Sequence, residues 1–412
     1  MTAQGDGGRV DDKKILRGGA VVAAAVFVAG SAPAAVAVPR AEAAAASPAA
    51  PAAGPGPRPA AAPGGVRLTR FLGERRLPHM MEFEGTTVGG LSGMDRDPRT
   101  GTWYFISDDR WRYDPARFYT GRVDIDPETG AFSGVRISGV HTLKQPDGSP
   151  YPGFGKPGSA DPEAIRFDSR GNRLLWGNEG DRPDETHPDI ALSPLSVQWA
   201  GTGGEHRGVL RLPANLEQTT ENRGPRRNYG FEAVAISPHR IAAMAEGPRY
   251  EDGTPPTAER GAPVRLTLWN RDGDLRAQHV YRVEALPAAP VPADGHADSG
   301  VSEIVALDDH RYLALERSWM EGVGYRVGLY AFDTRGATDV VRRDRLDGAP
   351  YRPVTKRLVA DLGRYADPAQ NLEAMAWGPR LRTGERTLLI GSDDNFDGRE
   401  VTQFLAFAVR TR

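Results

Sequence analysis

The chain has 412 residues, 39% hydrophobic and 26% charged, with a formal net charge of −2. That balance is ordinary for a soluble globular protein and gives no broad electrostatic pull toward nucleic acid or a membrane surface. There is no cysteine, which excludes disulfides, thiolate metal sites and cysteine nucleophiles. Gly (49) and Pro (34) are both abundant, favouring many short strands and turns over long helices.

The first expected element is a targeting segment. Lys13, Lys14 and Arg17 form a basic region before the apolar, small-residue stretch "GGAVVAAAVFVAGSAPAAVAV". Residues 1–40 therefore read as a general secretory signal, with small residues around Ala35–Ala37 or Ala41–Ala43 suited to a signal peptidase. An uncleaved anchor is the competing reading, because the stretch approaches the ~20 residues needed to span a bilayer. Residues 41–65 are rich in Ala, Pro and Gly and read as a linker without a core. The folded domain is expected over 66–412.

That domain repeats. "GLSGMDRD" (90–97), "DPEAIRFD" (161–168), "GFEAVAIS" (230–237), "VSEIVALD" (301–308) and "NLEAMAWG" (371–378) align Ser92, Glu163, Glu232, Glu303 and Glu373 at intervals of about seventy residues. After each comes a turn, then a second apolar run ending in an acid, then two further strand-like runs in most units. Strand, turn, strand, strand, strand is one four-stranded antiparallel sheet, and tandem sheets of this kind predict an all-β propeller. The last unit has three strands. "VRLTRFLGERRL" (66–77) supplies the fourth and closes the ring with the N-terminal strand. Five blades is the count; six stays open, because seventy residues exceeds the usual ~40–45 of a propeller blade.

The first strand of a propeller blade lies beside the central channel, and the second returns along it. A residue near the start of the first is then expected across from one near the end of the second. The pairs are Ser92 with Asp108, Glu163 with Glu179, Glu232 with Glu246, Glu303 with Glu316, and Glu373 with Asp393. Cross-strand partners share a face, so these carboxylates should converge at one end of the channel. Paired like charges are costly and raise one another's pKa, and a bound cation or a basic partner resolves both. An oxygen-only donor set favours calcium. The expected metal ligands are Glu163, Glu232, Glu303, Glu373, Asp108, Glu179, Glu246, Glu316 and Asp393. An arginine follows the second acid in every unit: Arg110, Arg182, Arg249, Arg317 and Arg399. The first four are the expected contacts for a substrate phosphate, which arginine clamps bidentately; the alternative is that each simply neutralises its neighbouring acid.

"DDNFDG" (393–398) matches the first half of a calcium loop, but Phe404 stands where the bidentate Glu would be. No nucleophile elbow is present, since "GLSG" (90–93) is one residue short of it. No catalytic residue is assigned from the sequence.

Taken together, "GLSGMDRDPRTGTWYFISDD", "DPEAIRFD", "GFEAVAIS", "VSEIVALDD" and "NLEAMAWGPR…RTLLIGSDDNFD…TQFLAFAV" resemble the phytase-like domain family, described as having esterase-like activity, over about Leu91 to Phe407. The resemblance implies a secreted or cell-envelope β-propeller related to phytases that hydrolyse phosphomonoesters with calcium. The family pattern reads Glu-Gly in these motifs, whereas this chain has Glu163-Ala164, Glu232-Ala233 and Glu373-Ala374. The expected function is a secreted, calcium-dependent phosphoester hydrolase acting on a small anionic substrate. It is expected to be a monomer, with no nucleic-acid partner and no membrane span once the signal is removed. The alternatives are another metal-dependent propeller hydrolase of lactonase or esterase type, and a non-enzymatic extracellular binding propeller.

Overall fold

The computed structural model describes residues 65–366 and 368–411. The expected signal (1–40), and the expected linker except its last residue, lie outside the described residues. Strand β1 (Arg67–Arg76) is followed by a small hairpin, β2 (Met81–Phe83) and β3 (Thr86–Val88). The first blade is β4 (Gly93–Arg96), β5 (Trp103–Ser107), β6 (Arg117–Ile125) and β7 (Phe132–Thr142). The second is β8 (Pro162–Asp168), β9 (Arg173–Asn178), β10 (Ser196–Gly201) and β11 (His206–Val209). The third is β12 (Phe231–Ile236), β13 (Arg240–Ala245), β14 (Ala262–Asn270) and β15 (Leu275–Val283). The fourth is β16 (Ala297–Ala306), β17 (Arg311–Met320), β18 (Gly324–Asp333) and β19 (Thr355–Asp361). The fifth is β20 (Leu372–Arg380), β21 (Arg386–Ser392) and β22 (Gln403–Arg410), completed on its outer edge by β1. The N-terminal strand thus closes the ring, pairing Arg67 with Arg410 and Arg76 with Gln403.

The first strands touch in cyclic order, β4 to β8 to β12 to β16 to β20 and back to β4. This is a five-bladed propeller, and the alternative of six blades is set aside. Each pair of neighbouring blades encloses its own core. Ile106 and Phe118 meet Ile165 and Trp176 between blades one and two, and Leu175 and Val197 meet Val234 and Ile241 between two and three. Leu313 and Leu329 meet Met375, Ile390 and Phe407 between four and five. Both faces of each blade are therefore buried, which is why the strands read as near-continuous apolar runs. Each fully buried Leu, Ile or Phe contributes roughly 1.5–3 kcal/mol.

Among the described residues no helix is long and apolar enough to cross a membrane.

Candidate functional site: a carboxylate funnel

The funnel is built by a bulge repeated in the inner hairpins. In β8 the register runs Pro162 opposite Asn178, then Ala164 opposite Gly177, so Glu163 is an extra residue. Glu232 and Glu373 occupy the same bulge in β12 and β20. A bulge re-aims one side chain without disturbing the pairing beyond it. Because of it, the second-strand acid faces the residue two before the bulge, not the bulged Glu. Glu179 stands across from Asp161, Glu246 from Gly230, Asp393 from Asn371 and Asp108 from Gly90. The direct pairing expected for Glu163 with Glu179, and for its counterparts, is thus displaced, although the side chains still converge.

In blade four the residue that takes the bulge is Ser302. Val301 faces Glu316, Glu303 faces Leu315, and Gly300 faces Arg317. Glu303 and Glu316 are therefore each one position away from the ring, and their side chains go elsewhere. Glu303 lies 2.7 Å from Arg166 Nη2. That guanidinium also donates to the carbonyls of Met94, Ile165 and Ile304, so it spans the channel below the funnel. Burial pushes Glu303 up to about 8 despite Arg166. Glu316 accepts from Tyr281 Oη at 2.6 Å and pairs with Lys356, lining a separate cavity with Tyr330 and Leu358.

Arg317 consequently sits where the other four blades carry an acid. Its Nη2 donates to Glu246 Oε1 at 2.7 Å and lies 3.2 Å from Glu373; its Nη1 is 3.0 Å from Asp298. Arg110 is the second funnel cation, 2.7 Å from Asp161 and 3.5 Å from Glu179. Burial pulls both guanidinium pKa values down, but the acids around them raise them further. The other two expected phosphate contacts do not reach the funnel. Arg182 donates to the carbonyls of Glu221, Arg223 and Pro225, fastening that loop. Arg249 pairs with Glu251 at 2.8 Å. Arg399 is exposed and engages Asp397, the last acid of "DDNFDG". Ser92 is buried and donates to the Pro162 carbonyl.

The remaining acids gather closely. Asp161, Glu163 and Glu179 form one buried triad, and Glu179, Glu232 and Glu246 form another. Within each, one oxygen per residue lies within 4.8 Å of the others. Asp108, Glu373 and Asp393 line the same mouth. Burial raises Glu163, then Glu232 and Asp161 raise it further. Burial and Asp161 push Asp108 and Glu179 up to about 8. Burial is also the leading cause of the upward shifts of Glu232, Glu246, Glu373 and Asp393.

Two loops set the funnel rim. In "SDDRW" and "SDDNF", Arg110-Trp111 and Asn395-Phe396 are consecutive non-glycine residues with positive φ. Such conformations cost of order 1–3 kcal/mol each and persist only when neighbours enforce them. Asp109 does so by accepting the N–H groups of Arg112, Tyr113 and Asp114; Asp394 accepts those of Gly90 and Phe396. Both turns aim their first side chain, Arg110 or Asn395, into the funnel.

Asp161 is a site residue the sequence reading passed over, although it stands two residues before Glu163, one strand period away. Asp298, His296, Trp319 and Tyr325 were also missed. They lie on the extension of blade four, which no repeat in the other blades announces.

A donor set of carboxylates alone suits a hard divalent cation. Both Asp161 oxygens and Glu246 Oε2 are buried without a hydrogen-bond partner. The two triads place three acids each around a common centre. The residues present therefore fit such an ion.

The class defined by this fold and site is a five-bladed propeller with a buried acidic ring at its channel mouth. Within that class the chain belongs to the phytase-like family, described as "Esterase-like activity of phytase", whose match spans residues 86–396. The chain is similar in structure to a Thermus thermophilus protein assigned as a putative oxidoreductase (glucose dehydrogenase). The identity is 13%, covering 78% of this chain and 85% of that one, with a TM-score of 0.31. It is also similar to the tail fibre of a Staphylococcus aureus phage, at 10% identity over 83% of this chain and 77% of that one, with a TM-score of 0.28. At those scores neither likeness bears on function. No curated protein sequence matches the chain.

Proposed function

We propose that the funnel is the active site of a secreted, calcium-dependent phosphoester hydrolase. The observation that supports this best is the pair of carboxylate triads sharing Glu179, flanked by Arg110 and Arg317. Asp161, Glu163 and Glu179 would hold one cation, and Glu179, Glu232 and Glu246 a second. When bound, such an ion polarises a phosphoryl oxygen and lowers the pKa of a coordinated water. The chain itself supplies position and charge. Arg110 and Arg317 present guanidinium donors to the phosphoryl oxygens. Arg166 closes the channel below, so substrate enters and alcohol leaves by one mouth. Secretion is inferred from the basic and apolar N-terminal pattern.

The test is a panel of phosphomonoesters, carboxylic esters and lactones, assayed with calcium and with chelator. Calcium-dependent release of phosphate is the expected result. Turnover of lactones or carboxylic esters alone would replace the phosphoesterase reading with the lactonase or esterase type. Calcium stabilisation with no turnover on any ester would leave a binding propeller.

A further inference from the structure

The funnel is small, and one of its walls is unlike the rest. Its cavity is about 220 Å³, below the roughly 300–1,000 Å³ of a site that buries a whole organic ligand. A phosphoryl group with its cations fits there; the alcohol of a phosphate ester has to lie outside. In blades two and three, the inner strands β9 and β13 stop one residue before the ring acid. In blade four, β17 continues three residues past Arg317 and stays paired on both sides. Asp298, Trp319 and Tyr325 stand directly opposite one another across β16, β17 and β18. With alternating side chains, this row lies on the same face as Arg317, and all three residues line the funnel.

Behind this wall is a second cavity of about 740 Å³, and Trp319, Tyr325 and Asn395 line both. The two spaces adjoin along these three residues. Tyr325 Oη and the Asn395 side-chain amide both donate to Glu400, at 2.9 Å each, which ties this shared wall to the fifth blade. His296 packs against Trp319 with ring centroids 5.8 Å apart. Gln370 and Arg326 add hydrogen-bonding groups to the outer compartment.

We propose that this wall binds the alcohol portion of the ester, and that the alcohol carries a planar, hydrogen-bonding ring. The substrate class is then a nucleoside monophosphate, with its phosphate in the funnel and its base against Trp319. This inference rests on the phosphoester reading for the phosphate, but the wall can be tested without it. An indole stacks a flat heterocycle, and Gln370 and Arg326 can meet its edge, whereas a small alkyl alcohol would leave the compartment unfilled. Loss of one base–aromatic stack costs about tenfold or more in affinity.

The experiment is calorimetric titration of the full chain in calcium with adenosine monophosphate, ribose 5-phosphate, inorganic phosphate and adenosine. Adenosine monophosphate should bind at least about tenfold tighter than ribose 5-phosphate. Trp319→Ala should remove that advantage, weakening adenosine monophosphate far more than inorganic phosphate, and Trp319→Phe should keep most of it. The inference is overturned if the base brings no gain, or if Trp319→Ala weakens all ligands alike. If no phosphate ligand binds, the phosphoester reading fails, and adenosine alone decides the wall. Saturable adenosine binding that Trp319→Ala abolishes upholds the ring site; no adenosine binding removes it.

Discussion

Neither carboxylate oxygen of Asp161 has a hydrogen-bond partner, although Arg110 Nη2 stands 2.7 Å from one of them. The distance is that of an ion pair. Two roles follow, and Asp161→Asn separates them. For a cation ligand, the variant loses calcium affinity on top of whatever loss of the Arg110 pair costs in chelator. Calcium then stabilises the variant less, by about 1.4 kcal/mol for each tenfold loss of affinity. For a simple partner of Arg110, the variant loses stability equally with and without calcium. Thermal melts in chelator and in calcium read the difference. Arg317 gives the complementary case, because it is the cation the chain itself provides to Glu246, Glu373 and Asp298. Arg317→Gln leaves those buried acids uncompensated and should cost about 3–5 kcal/mol in chelator, with calcium restoring part of the loss. A urea midpoint close to the parent's in chelator would show that Arg317 does not hold the ring.

At the scale of the hairpin, the informative pattern is glycine, an apolar residue, then Glu or Ser. It reads Gly90-Leu91-Ser92, Gly230-Phe231-Glu232 and Gly300-Val301-Ser302. Aligning blade four on its glycine would have placed Ser302 at the bulge and Arg317 in the ring. Aligning it on its glutamate slips the register by one residue, and in a strand a slip of one sends a side chain to the opposite face. The sequence signal was present but was outweighed by the identity of Glu303. The glycine has a physical reason too. A Cβ at Gly230 would sit 2.4 Å from the Glu179 carbonyl and 2.6 Å from its Cγ; one at Gly300 would sit 2.3 Å from Glu246 Cγ. Gly230 and Gly300 each make room for the acid of the preceding blade. Gly230→Ala should therefore cost about 1–3 kcal/mol by overpacking. It should also weaken calcium binding at both triads together, since Glu179 belongs to both. Gly153, where a Cβ would meet nothing within 4 Å, is the matched control. Loss of stability with unchanged calcium affinity would show that Glu179 is not a shared ligand.

For the molecule as a whole, the seventy-residue period makes the five blades, their closure by β1 and the acidic mouth legible in the sequence itself. The departures from symmetry were not legible. The extension of blade four and the Arg166 stopper rest on contacts between blades, and a period records only what every blade shares. The ring as a unit also dictates how stability responds to pH. Asp108 and Glu179 are pushed up to about 8 by burial and by Asp161, from ordinary values of 3.8 and 4.5. In the cation-free protein they therefore hold protons at pH values where the unfolded chain has released them. The native state binds the extra protons, so this contribution is complete below the unfolded pKa values and is lost as pH rises toward about 8. Carboxylates with depressed pKa, such as Asp309 at about 2, act in the opposite sense, but only below their ordinary value of 3.8. Between about pH 5 and 8 the ring should dominate. The urea midpoint in chelator should fall across that window. A calcium ion bound at the proposed site would displace the same protons and prefer the ionised acids, so with calcium present the fall should flatten or reverse, and the stabilisation by calcium should grow with pH. Parallel pH profiles with and without calcium would break the link between the raised carboxylates and a cation site. The ring would then be an internal network of acids held protonated and balanced by Arg110 and Arg317.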